Sequence, residues 1–84
     1  MKEKSEKTFQ HLRRRVAGNL FRLRAARGLT QMELADAAGL HWRHVQKIEA
    51  GKNNVTLITL ARLADGLQVD AMELMAAATT KRSR

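Results

Sequence analysis

A chain of 84 residues makes one small domain with no room for a deep catalytic cavity. It has no cysteine, which excludes disulfides and thiolate metal sites, and no tyrosine, which leaves few side-chain nucleophiles. Sixteen Lys and Arg against eight Asp and Glu give a formal +8, a balance that suits a polyanionic partner.

Residues 1–8 (MKEKSEKT) are polar and read as a flexible basic segment. Phe9, Leu12, Val16, Leu20 and Leu23 then recur at three- and four-residue steps, which predicts a first helix from about residue 9 to 26. Gly18 sits inside it, at a cost of about 1 kcal/mol against alanine. It either permits close approach of another helix or is simply tolerated. The run Arg13, Arg14, Arg15 reads as a solvated face. Gly28 ends this helix. Thr30 with Glu33 forms T-x-x-E, a capping box that opens a second helix from about Gln31 to Ala38, closed by Gly39. A third begins near His41 or Trp42 and is closed by Gly51. Leu40, Val45 and Ile48 face inward together on it, while Arg43 and Lys47, four apart, share the opposite face with Gln46 beside them.

Lys52 to Val55 form a loop. Thr56 caps a fourth helix containing Leu57, Leu60, Ala61 and Ala64, which is expected to stop at Gly66. Asp70 with Glu73 resembles a second capping box, opening a last helix from Ala71 to about Ala78. Residues 79–84 read as a basic tail. The domain is therefore placed at 9–78, a compact all-α bundle of five helices without strands.

Charge is unevenly spread. Residues 1–27 hold nine basic and two acidic groups, residues 28–55 three of each, and residues 56–80 only Arg62 against Asp65, Asp70 and Glu73. Lys81, Arg82 and Arg84 make the end basic again. No apolar run is long enough to span a bilayer and no signal-peptide pattern is present, so a cytoplasmic protein is the default. Catalysis finds no support: there is no G-x-S-x-G, no phosphate-cradling glycine loop and no metal-ligand cluster. His41 and His44 lie three apart, but two nitrogens alone make a poor metal site, and phosphate or solvent contact is their ordinary role. His11 has no evident partner. No cofactor and no metal are expected.

Two short amphipathic helices joined by a glycine turn, the second with a polar outer face, are the layout of a helix held for entry into a DNA groove. Over residues 16–76, and most clearly in LTQMELADAAGLHWRHVQKIEAG, the chain resembles the Cro/phage-repressor helix-turn-helix family (XRE-type, lambda-repressor-like). Through GLHWRHVQKIEAGKNNVTL it is most similar to the controller proteins of restriction–modification systems. The resemblance implies operator binding by a homodimer on an inverted repeat. It places Gln31 on a phosphate, and Trp42, Arg43 and Lys47 on base edges with Gln46 beside them. It places Lys52, Asn53 and Asn54 on the backbone, and makes Arg24 and Glu49 an ion pair tying the first helix to the third. Two positions depart from the pattern. His41 stands where Ser or Thr usually caps the recognition helix, and Trp42 replaces a polar side chain. Trp42 has two roles open to it: packing on a thymine methyl or sugar, or lying partly buried over the second helix.

A dimer surface is expected on the last two helices, where Leu67, Val69, Met72, Leu74 and Met75 exceed what a small core needs, with Met72 and Met75 alternatively filling the core. The sequence thus reads as a sequence-specific transcriptional regulator of double-stranded DNA. One alternative keeps the fold and makes another protein the main partner, as in an antitoxin. Another is a basic helical module on acidic membranes, which requires an apolar stripe open to lipid.

Overall fold

A computed structural model describes residues 2–77. Five helices follow in order: α1 (Lys2–Ala26), α2 (Gln31–Ala38), α3 (Trp42–Glu49), α4 (Leu57–Leu67) and α5 (Met72–Met75). No strand occurs among the described residues. α2 packs on α3 and α4, and α1 on α3 and α5. Leu20, Leu34, Val45, Ile48, Leu63, Leu67 and Leu74 are the largest fully buried side chains, one or two from each helix. Of the apolar row of α1, Val16, Leu20 and Leu23 are buried in this core, whereas Phe9 is exposed and Leu12 half-buried. No described helix is long and apolar enough to cross a membrane.

The middle helices follow from their caps. Thr30 Oγ1 accepts from Glu33 N at 3.0 Å and Glu33 Oε1 accepts from Thr30 N at 2.8 Å, closing both arms of the box. Gly39, with φ 69°, turns the chain out of α2 in the left-handed region. Leu40 N then donates back to Ala35 O at 2.9 Å.

Elsewhere the structure corrects the sequence reading. α1 starts at Lys2, not near residue 9. Lys2 with Glu6 and Glu3 with Lys7 are opposite charges four apart on straight-chain helix formers, so the polar segment is helical although exposed. α4 passes through Gly66 and ends at Leu67. The left-handed residue is Gln68, with φ 59°. Such a conformation costs about 1–2 kcal/mol for a side-chain-bearing residue. Arg27 offsets it by donating at 2.8 Å both to Leu67 O and to Gln68 Oε1, a cation set on the last carbonyls of α4. Gly66 serves close approach instead: a Cβ there would lie 3.1 Å from Ala38 N and 3.2 Å from Ala38 Cα.

α5 is also shorter than expected. The anticipated capping box does not form: Asp70 Oδ1 accepts from Met72 N at 2.8 Å and not from Glu73 N, which donates to Asp70 O, and the helix closes at Met75. The buried amide of Asn19 donates at 2.9 Å to Leu74 O and to Ala76 O and so takes up the end of the helix. The expected continuation to Ala78 and the tail at 79–84 lie outside the described residues. This docking onto α1 overturns part of the dimer expectation. Leu67 and Leu74 are wholly buried core residues, and Val69 and Met75 pack half-buried against that core. Of the five candidates only Met72, 70% exposed, is free. The other large exposed apolar side chains on α4 and α5 are Leu57 and Ile58.

The two interior glycines separate propensity from packing. Gly18 is exposed, and a Cβ there would meet nothing within 4 Å, so the glycine is tolerated and not required. Gly18→Ala should raise stability by about 1 kcal/mol. Gly66→Ala carries the same propensity gain but drives a methyl into the α2 backbone, and should lower stability by about 1 kcal/mol or more. Thermal denaturation of both variants checks this; a rise in Tm for Gly66→Ala would show the α2–α4 contact to be loose.

Candidate nucleic-acid interface

α3 is fixed from beneath. Val45 and Ile48 are fully buried against Leu34, Ala35 and Ala38 of α2 and the rest of the core. The opposite face carries Arg43, Gln46 and Lys47, all exposed. The side chains of Gln46 and Lys47 make no hydrogen bond or ion pair among the described residues, and the Arg43 guanidinium touches only the Trp42 ring, 5.4 Å from its centroid. Three donor-bearing side chains are thus held in fixed register and left uncommitted.

The start of α3 uses the residue that departs from the family pattern. His41 takes the N-cap position with extended backbone, and its Nδ1 accepts from Arg43 N at 3.1 Å. The bond requires an unprotonated Nδ1, so Nε2 keeps its N–H for an outside acceptor. Trp42 follows half-buried against the core, its ring 6.2 Å from that of His41 at 21°. The indole is thus partly buried, and the rest of its ring stays exposed. His44 is half-buried on the same helix. No group of three or more His, Cys, Asp or Glu placed to hold a metal occurs among the described residues.

The expected ion pair between α1 and α3 is present and bidentate. Arg24 Nε donates to Glu49 Oε2 at 2.5 Å and Arg24 Nη2 to Glu49 Oε1 at 2.9 Å, with side-chain exposures of 14% and 7%. Arg24 Nη1 donates to Leu29 O at 2.7 Å, and the Phe21 ring lies 5.4 Å beneath the guanidinium. The hydrogen bond to Glu49 holds the Arg24 pKa above its ordinary value, against the opposing effect of burial. That contribution is complete below the ordinary arginine range and is lost only as pH rises through the raised value, so the arginine stays charged throughout the neutral range.

Gln31 is where sequence reading missed a partner. Its Nε2 donates to Glu49 Oε1 at 3.0 Å, so the carboxylate gathers α1, α2 and α3 at one point. A phosphate contact by Gln31 would have to use its second amide hydrogen. The His41 cap falls at the position that the family resemblance marks, although histidine is a poor cap on average. Lys52 and Asn54 are exposed and Asn53 half-buried in the loop between α3 and α4, where Gly51 takes φ 74°. The charged run of α1 is divided: Arg13 lies over the Phe9 ring at 5.1 Å, while His11, Arg14 and Arg15 line a shallow groove with Arg22.

This arrangement is matched by known proteins. The helix-turn-helix family model fits residues 20–74, from the last two turns of α1 to α5. The chain belongs to the helix-turn-helix family. Among its relatives in that family, the HTH-type transcriptional regulator y4dJ of Sinorhizobium fredii is 39% identical over 64 residues, which cover 76% of this chain and 83% of that one. The control protein C.SmaI of Serratia marcescens is 33% identical over 67 residues, 80% of each chain. The crystal structure of the restriction–modification controller protein C.AhdI from Aeromonas hydrophila superposes with a TM-score of 0.72 at 35% identity, covering 74% of this chain and 94% of that one. The family resemblance read from Leu29–Gly51 therefore holds, and controller proteins are among its close structural neighbours.

The ion pair gives the family fold its sharpest test. Glu49→Ala leaves Arg24 unpaired and Gln31 without its acceptor, and should cost about 3–5 kcal/mol. Urea denaturation followed by circular dichroism measures it; an unchanged midpoint would mean that the carboxylate does not hold the three helices.

Proposed function

We propose that this helix-turn-helix protein is a sequence-specific transcriptional regulator that reads double-stranded DNA by laying α3 in the major groove. The observation that carries this is the face of α3: Arg43, Gln46 and Lys47 project from a helix whose other side is locked by Val45 and Ile48. Arg43 suits the O6 and N7 of guanine, and Lys47 a guanine or a phosphate. Gln46 reaches a base or a phosphate, and Trp42 presents the exposed part of its ring to a sugar or thymine methyl. Lys52, Asn53 and Asn54 in the following loop, Gln31 at the start of α2, and the imidazoles of His41 and His44 contact phosphates and set the register.

Positions 43 and 47 are one turn apart, about 6 Å along the helix, which spans about two base steps. One such helix cannot select an operator. A two-fold dimer on an inverted repeat doubles the read sequence, with half-sites about one helical turn apart. Exposed Leu57, Ile58 and Met72 provide an apolar face for that dimer. The names of the controller relatives fit this reading.

Titration of a fluorescent inverted-repeat duplex tests it. Neutralising about 6–10 phosphates predicts a slope of log K against log salt of about −5 to −9. Arg43→Ala should cost about 1–3 kcal/mol and relax preference at one base pair, whereas Lys52→Ala should weaken all duplexes alike and reduce the slope by about 1. Equal affinity for every duplex would refute base reading.

A further inference from the structure

The family match begins at residue 20, yet α1 begins at Lys2. The part of α1 before residue 20 lies outside that match and packs against the rest of the domain. Phe9, Leu12 and Val16 form one wall of a groove of about 180 Å³ whose other wall is Leu57, Leu60 and Met75. Leu57 stands at its rim, 84% exposed, with the exposed Ile58 next to it in the first turn of α4.

We propose that this groove receives the first turn of α4 from a second copy of the chain, so that the N-terminal half of α1 is part of the two-fold interface. The inference rests on the dimer reading above and adds a contact outside the family-matched span. Three observations favour a second copy over another occupant. A two-fold contact is made by one patch meeting itself, so the patch must hold both a projection and a recess. Here Leu57 and Ile58 project and the groove between Phe9 and Leu57 recedes, on the same two elements. The two chain segments that supply the walls also differ in charge: residues 1–15 carry six basic and two acidic groups, and residues 56–80 carry one basic and three acidic groups. A self-contact that crosses these elements sets unlike charges together.

Arg13 completes the case. It lines the groove with its guanidinium over the Phe9 ring, and its buried Nε has no acceptor among the described residues. It is a cation held at the groove with no carboxylate of its own. The acidic side chains Asp70 and Glu73 near α5 are exposed and supply carboxylates from a second copy. Asn53, Asn54 and Val55 complete the lining of the groove.

Sedimentation equilibrium of the full chain, with circular dichroism as the folding control, tests the assignment. Phe9→Ser, Leu57→Ser and Arg13→Glu should each weaken self-association by about tenfold or more. Met32→Ser, on an α2 side chain that is also exposed, should match the wild type. Arg13→Glu leaves the apolar packing in place, so it decides the matter should Phe9→Ser lose helix. Wild-type self-association in Arg13→Glu and in a folded Phe9→Ser, with Met72→Ser still weakening it, would overturn the α1 contact and leave the dimer standing. A wild-type chain that stays monomeric while filling an inverted repeat would overturn both.

Discussion

The carboxylate of Glu49 is the point on which the placement of α3 depends. It sits at the last residue of α3, accepts two bonds from Arg24 of α1 and one from Gln31 of α2, and is almost fully withdrawn from water. A bare carboxylate at that depth, near the C-terminal end of a helix, would be doubly unfavourable, from desolvation and from the helix dipole. The bidentate guanidinium removes the first problem and reduces the second. Because Arg24 also holds Leu29 O in the α1–α2 turn, one cation fixes the end of the first helix, the turn after it and the end of the third. The orientation of α3 is therefore set at its C-terminal end by charge and along its length by Val45 and Ile48.

The other end of α3 is set differently. A Ser or Thr cap would present a hydroxyl and little else. His41 caps through Nδ1 and brings a ring whose second nitrogen still carries a proton, beside the half-buried indole of Trp42. The two departures from the family pattern thus sit together and share one local structure. They exchange a small polar helix entry for a flat aromatic one, which suits contact with sugars and thymine methyls more than a further hydrogen bond to a base.

What the sequence discloses follows the range of the interactions involved. The boundaries of α2 and α3 are legible because T-x-x-E, Gly39 and Gly51 act within a few residues of where they stand. The Arg24–Glu49 pair is legible only through family resemblance, since nothing local joins positions 25 apart. The ends of α4 and α5 escape the sequence for the same reason. Gly66 resembles a helix stop, but its role is set by Ala38 across the interface, and the left-handed turn falls to Gln68 because Arg27 holds it there. Leu67 and Leu74 look like surplus apolar residues in the sequence, whereas in the fold Asn19 draws α5 onto α1 and buries them. The start of α1 escapes because an apolar period is the mark by which a helix is read, while residues 2–8 are helical through charge spacing and intrinsic preference.

Formal charge by segment conceals what the helix-turn-helix offers a polyanion. Residues 28–55 are neutral, with three basic and three acidic side chains, and this would suggest indifference to DNA. One of the acidic groups, Glu49, is neutralised by Arg24, a cation from outside the segment, while Glu33 on its own cap and Asp36 stay exposed on α2. Arg43, Lys47 and Lys52 are all exposed and have no carboxylate partner among the described residues. The exposed side chains of the unit are therefore three cations against two carboxylates, a slight positive excess although the sum is zero. On the proposed function, pairing Glu49 with a cation from α1 lets α3 face phosphates without added lysines. The heavy positive charge of α1 stands on a separate element from Arg43, Gln46 and Lys47.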